Sequence, residues 1–209
     1  MSASQKPAED RRSLSHLSRS TALVALGANL GEPLEILPRA AQALIGMEGV
    51  QRVWISRAYR TEPFETPTPQ PDYWNAVCEL ETRLTPKALL DALHGIEARF
   101  GRDREREGHH GARRLDLDLL LHGDHRSTDP ALRLPHPGLE ERLFVLAPLC
   151  DLRPNLVLPS GRGALESSDL LRDQGQALIE AAELDLGLLL PMAQGGPGTK
   201  SEPLSVTTP

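Results

Sequence analysis

The segment Arg113-Arg114-Leu115-Asp116-Leu117-Asp118-Leu119-Leu120-Leu121 constrains the fold more than any other stretch of this chain. Leucine and aspartate alternate there at a period of two, which is the period of a half-buried β-strand and not of a helix. On such a strand Leu115, Leu117, Leu119 and Leu121 share the face that packs on a core, while Asp116 and Asp118 share the face that looks into a cleft. Residues two apart on one face are about 6.5 to 7 Å apart. Two like charges at that separation repel unless a cation sits between them, and their hard oxygens suit Mg²⁺ that is also bound to phosphates. The alternative is an ordinary wet-faced strand that happens to carry acids.

The residues just upstream favour the phosphate reading. Arg99 to Arg114 reads RFGRDREREGHHGARR and holds six arginines, in a chain whose formal net charge is -6. Guanidinium groups grip phosphate oxygens bidentately, and Gly101, Gly108 and Gly111 would let a loop bend over a polyphosphate. The competing reading is a solvated helix extension in which Arg102, Arg104 and Arg106 pair with Asp103, Glu105 and Glu107. Each glycine costs a helix about 1 kcal/mol relative to alanine, which argues for a mobile lid.

Elsewhere the pattern is strand, helix, strand, strand, helix, strand, then a mostly helical end. Thr21–Ala28 is a short apolar run followed by turn residues Asn29, Gly31 and Pro33. Leu34, Leu37, Ala41 and Leu44 recur at helical spacing, and a strand follows from Val50 to Tyr59. Four prolines within residues 61–72 fix an irregular, stiff loop. Tyr73 to Thr82 alternates as a strand, with Tyr73, Asn75, Val77 and Glu79 on one side. Thr85-Pro86 opens a helix striped by Leu89, Leu93, Ile96 and Phe100. Gly123-Asp124 suggests a hairpin turn with Leu132–Leu134 returning, and Leu143–Leu149 reads as a helix. The fold class is α+β, with helices packed on an antiparallel sheet, compatible with a ferredoxin-like core.

At 209 residues one domain is expected, spanning 21–171. Residues 1–20 form a disordered tail on this reading, and 172–209 an extension that is partly helical, with helical spacing in 176–190, and then disordered. No apolar stretch approaches the roughly 20 residues of a membrane span, and no signal peptide is evident. Cys78 and Cys150 are too few for a disulfide framework, so a reducing, cytoplasmic setting is expected; separately, the chain is expected to be a monomer. A pI near 5.7 speaks against broad nucleic-acid binding.

Further candidates stand on one or two residues each. Tyr73 and Asn75 share a strand face after the proline loop, in a chain with only seven aromatic residues (3 Phe, 2 Trp, 2 Tyr). An aromatic ring beside an amide suits a flat heterocycle, though an edge tyrosine over the core would look the same. His136 between two prolines has a fixed direction and could donate to a phosphate, or be structural. Glu97 on its helix is either functional or merely solvated.

The ordered series ALGANLG at 25–31, YRTEPF at 59–64, QPDYWNAV at 70–77, IEARFGR at 96–102, GARRLDLDLLLHG at 111–123 and LPHPGLEERLFVLAPLCDLRP at 134–154 resembles the 6-hydroxymethyl-7,8-dihydropterin pyrophosphokinase family of folate biosynthesis. The resemblance implies transfer of pyrophosphate from ATP to the pterin alcohol, with two Mg²⁺ ions held by Asp116 and Asp118. It implies phosphate contacts from Arg102 and Arg113, further ATP contacts from His136 and Arg142, and a nucleotide-side place for Glu97. It also implies a pterin pocket of Tyr73 and Phe144 as facing rings, Asn75 on the heterocycle edge, and Thr61 and Phe64 from the proline loop. Many family members carry Ser where Ala28 stands, a lid tryptophan where His110 stands and a glutamine where His94 stands. Two other functions fit the same residues less completely: a Mg²⁺-dependent nucleotidyl transferase that releases pyrophosphate, and a non-catalytic ferredoxin-like binding module.

Overall fold

The computed structural model describes residues 19–64, 69–102 and 111–184. Residues 103–110, the middle of the lid read over 99–114, lie outside the described residues, as do residues 1–18 and 185–209 of the two tails. The chain runs β1 (Ser20–Ala28), α1 (Pro33–Ile45), β2 (Val50–Ile55), β3 (Ala58–Thr61), β4 (Tyr73–Thr82), α2 (Pro86–Arg99), β5 (Asp116–His122), β6 (Ser127–Asp129), β7 (Leu132–Leu134), α3 (Leu143–Leu152), α4 (Ala164–Asp173) and β8 (Glu180–Ala182), with a 3-10 turn at Pro137–Leu139.

The main sheet has the order β5-β1-β4-β3-β8, with β2 also pairing β4, and every ladder is antiparallel. This is the α+β class expected from the pattern. One face carries Ala22, Val24, Leu26 and Ala28 of β1 with Leu117 and Leu119 of β5 and Leu115 just before it, and packs against Leu37, Ala41 and Leu44 of α1 and Leu89, Leu93 and Ile96 of α2. The other face carries Leu23, Val77 and Leu120 against Leu143, Leu146 and Leu149 of α3, with α4 behind. Helix α3 covers only part of that second face. Where β1 ends at Ala28, and β4 and β5 begin, the face is open.

Local chemistry explains the element ends. Thr85 caps α2 by accepting from the Ala88 N–H (3.2 Å), with Pro86 in the first turn, as the Thr-Pro pair predicts. The single strand expected from Val50 to Tyr59 is two strands, interrupted at Ser56 and Arg57. The Ser56 hydroxyl accepts from the Val77 N–H (2.9 Å), so a side chain replaces the ladder bond at the break.

Three expectations are corrected. Leu121 leaves the face of Leu115, Leu117 and Leu119: the β1–β5 register shifts between Leu23 and Val24, and the bulge at Leu120 turns Leu121 toward α3. The turn at Gly123-Asp124 forms, but Leu132–Leu134 pairs with Ser127–Asp129 in a separate two-stranded ribbon instead of returning along β5. In the extension, residues 180–182 are not helical; they add strand β8 to the free edge of β3, a position that satisfies backbone groups a lone helix would leave open.

Candidate active site

The open part of the second sheet face is a cleft open to solvent. Its floor is set by strand register. Asn75 of β4, Gly27 of β1 and Asp116 of β5 lie opposite one another in one row across the sheet, and Val77, Ala25 and Asp118 form the next. Gly27 is the low point between a carboxylate and an amide. A Cβ there would stand 3.3 Å from Asn75 Oδ1 and 3.9 Å from Asp116 Cβ, so any side chain would fill the floor.

Thr61, Phe64, Tyr73, Asn75, Arg113, Asp116, Asp118, His136, Arg142 and Phe144 all line this cleft. The remaining two candidates, Glu97 and Arg102, lie beneath its acidic end. Glu97 is only 1% exposed; its Oε1 accepts from the Leu117 N–H (2.8 Å) and from the Arg102 guanidinium. That excludes the solvated-helix alternative for Glu97. Its carboxylate holds the backbone of β5 between the two aspartates.

The two aspartates have different surroundings. Asp116 is paired with Arg102 and, at 2.7 Å, with Arg113. Asp118 makes no hydrogen bond or close ion pair among the described residues. Burial, reinforced by the negative charge of Asp116, pushes its carboxyl up to about 6, against the pull of Arg142, Arg102 and Arg113. A half-buried carboxylate with no hydrogen-bond partner is a poor structural element and a good ligand for a cation.

On the cationic side, burial and then Arg142 lower the His136 imidazole below its usual pKa, against an opposing influence of Asp116. Its Nδ1 accepts from the Gly138 N–H at 3.1 Å, so the neutral ring carries its proton on Nε2. Arg142 lies directly over Gly138, where a Cβ would come within 2.7 Å of the guanidinium Nε. The Arg142 guanidinium also stands 5.8 Å from the Phe144 ring centre.

The other wall is amide and aromatic. Asn75 is 7% exposed and donates through Nδ2 to Thr61 Oγ1 at 3.0 Å, which fixes which end of the amide is free. Phe64 and Phe144 meet edge to face at 6.0 Å, so the direct ring contact joins these two, while the Tyr73 hydroxyl reaches Gln70 Oε1 (3.1 Å) and the Gly111 carbonyl (3.0 Å).

Sequence reasoning treated Asn29 as a turn residue only, and it is the joint of the site. Its Oδ1 accepts from the Arg113 N–H (2.7 Å), its Nδ2 donates to the Pro71 carbonyl (3.2 Å), and its own N–H donates to the Arg113 carbonyl (3.0 Å). Asn29 thereby ties the end of β1 to the segments that deliver Tyr73 and Arg113. The signal was its place in ALGANLG, though the bonds run to residues 42 and 84 positions away. Gly27 and Gly138 were missed for a similar reason, since what they leave room for is remote or has a direction that composition does not encode.

A cleft with two carboxylates, converging arginines and a neutral histidine at one end, and an amide beside aromatic rings at the other, is suited to a phosphate-rich ligand and a flat heterocycle together. The model of the 7,8-dihydro-6-hydroxymethylpterin-pyrophosphokinase (HPPK) family matches residues 23–154. The chain belongs to this family. It is 42% identical over 142 residues to the 2-amino-4-hydroxy-6-hydroxymethyldihydropteridine pyrophosphokinase of Haemophilus influenzae, covering 68% of this chain and 87% of that one. The Pseudomonas aeruginosa enzyme of the same name is 44% identical over 139 residues, covering 66% and 84%. Among solved structures, Plasmodium falciparum HPPK-DHPS superposes with a TM-score of 0.60 at 12% identity, over 77% of this chain and 46% of that one, a likeness of fold alone. The HPPK fold is thus shared, and the chain is a pyrophosphokinase of the folate pathway, an enzyme and not a mere binding module.

Proposed function

We propose that the cleft brings ATP and 6-hydroxymethyl-7,8-dihydropterin together so that the pterin alcohol oxygen attacks the β-phosphorus, the bond from that phosphorus to the α-phosphate oxygen breaks, and AMP leaves. The observation that carries this reading is the shared row of Asn75, Gly27 and Asp116: the amide for a heterocycle and the carboxylate for a metal-bound phosphate are neighbours across one bare glycine.

Asn75, its amide oriented by Thr61, reads the heterocycle edge. Tyr73 and Phe144 bound its faces, and Phe64 closes over Phe144. Arg102, Arg113, His136 through Nε2–H, and Arg142 hold the phosphates and stabilise the charge that builds on bridging and leaving oxygens. Glu97 acts on the nucleotide side through Arg102 and β5. Asp116 and Asp118 fit Mg²⁺: both donors are hard oxygens on one face, and Asp118 is half-buried with no hydrogen bond or close ion pair among the described residues to occupy its oxygens. No group of three or more metal-ligating side chains gathers among the described residues, so the remaining ligands would be phosphate oxygens and water. When bound, the two ions supply charge neutralisation along the triphosphate. Since no side chain among the described residues offers a strong base for the alcohol, catalysis rests on positioning and electrostatics.

The twelve candidate site residues all fall within residues 21–171, which supports that span as the catalytic domain. Among the described residues no helix is long and apolar enough to cross a membrane. Incubation with MgATP and the pterin alcohol should yield AMP and the pterin diphosphate. Free pyrophosphate without AMP would point to nucleotidyl transfer and overturn the reading. Asp118→Ala should abolish turnover with the folded state intact; normal turnover in it would refute the metal assignment.

A further inference from the structure

Helix α3 starts on a residue that cannot cap it. Arg142 occupies the N-cap position with no side-chain bond to the first turn, and a guanidinium has donors but no acceptor to offer the open amides there. Ser, Thr, Asp or Asn would serve the helix better, but each would forfeit the cation that Arg142 presents to the cleft.

The acceptor comes from a distant part of the chain. Gln176 Oε1 accepts from the Leu143 N–H at 2.7 Å, and Gln176 Nε2 donates to the Glu141 carbonyl at 2.9 Å. One amide side chain therefore grips the main chain on both sides of Arg142, one residue before Phe144. Gln176 lies beyond residue 154, where the family match ends.

The segment that carries Gln176 is itself held. The Gln176 N–H donates to the Leu171 carbonyl (3.0 Å), Leu178 packs on the cluster beneath α3, and the Ile179 N–H donates to the Arg60 carbonyl (2.8 Å). Strand β8 then pairs with β3, and Glu180 meets Arg60 at 3.1 Å. Arg60 sits next to Thr61 of the cleft. The extension thus touches both walls: β3 on the heterocycle side, and the start of α3 on the phosphate side.

We propose that Gln176 is a positioning residue for pyrophosphoryl transfer, acting by fixing the backbone from which Arg142 and Phe144 enter the cleft. This rests on the reading of Arg142 as an ATP contact. The test is Gln176→Met, which keeps length and bulk and removes both hydrogen bonds. Exchange of the Leu143 amide should accelerate at least about tenfold, and KM for ATP should rise roughly three- to tenfold, the scale of one or two modest hydrogen bonds, with the thermal midpoint nearly unchanged. In an Arg142→Ala background the same substitution should leave KM for ATP where Arg142→Ala alone had put it. A wild-type KM in Gln176→Met, beside a raised KM in Arg142→Ala, overturns the positioning role. A wild-type KM in Arg142→Ala overturns the ATP assignment instead, and the proposal with it.

Discussion

At the scale of single residues, Asp118 shows what a site residue costs its own fold. Its carboxyl is raised above the unfolded value near 3.9, so the contribution to stability is present below that value and is lost as pH rises through about 6. In the absence of nucleotide and Mg²⁺, Asp118→Asn should raise the thermal midpoint at pH 7.5, with the gain shrinking toward pH 4, while turnover collapses. A lower midpoint at pH 7.5 would refute the unpaired-carboxylate account. Gly138 is the complementary case. Its Cβ space is filled by Arg142, so Gly138→Ala should displace a flexible guanidinium more than it disturbs the core. KM for ATP should rise about tenfold, the equivalent of one charge-assisted hydrogen bond, with little change in unfolding midpoint. Steady-state kinetics beside a melting curve separates the two effects.

At the scale of elements, the site depends on strand β5 being held at both sides. Its β1 side is a regular ladder from Val24 to Gly27, and on the other side the Leu117 N–H is bound by Glu97 of α2. Glu97 is an element-level clamp whose loss leaves Arg102 short of one anion and Leu117 short of an acceptor. Glu97→Ala should therefore cost about 3 kcal/mol, the usual scale for removing one member of a buried pair, read from chemical denaturation. A loss below about 1 kcal/mol would mean that β5 is fixed by β1 alone. The Asp-x-Asp alternation made β5 legible because period two leaves two faces and leucine selects the buried one. The bulge at Leu120 was not legible, since a register shift depends on what β1 presents opposite. The ribbon of β6 and β7 was misjudged for a related reason: turn residues announce that the chain reverses, without naming the strand it will meet.

At the scale of the molecule, the catalytic face is the part of the sheet that α3 leaves uncovered, and the extension after α4 helps to decide where α3 begins. A chain ending at residue 184 keeps every contact described above, and its KM values and melting midpoint should match those of the full chain. One ending at 173 loses Gln176 and β8, leaves the edge of β3 unpaired, and should show a raised KM for both substrates. Equal kinetics for the two truncations would mean that the extension has no part in the site.

The sequence by itself determined the α+β class, the acidic strand face, the arginines beside it and the aromatic-amide pair, because each follows from spacing along one segment. Periodicity and charge are local, and so is the chemistry they advertise. Tertiary structure alone decided that Asn75, Gly27 and Asp116 share a row, that Glu97 is buried under the aspartates, that Asn29 joins three segments and that Gln176 caps a helix it does not belong to. Those relations are pairings between residues far apart in the chain, set by sheet register and helix placement, and no local pattern encodes a partner that only folding brings near.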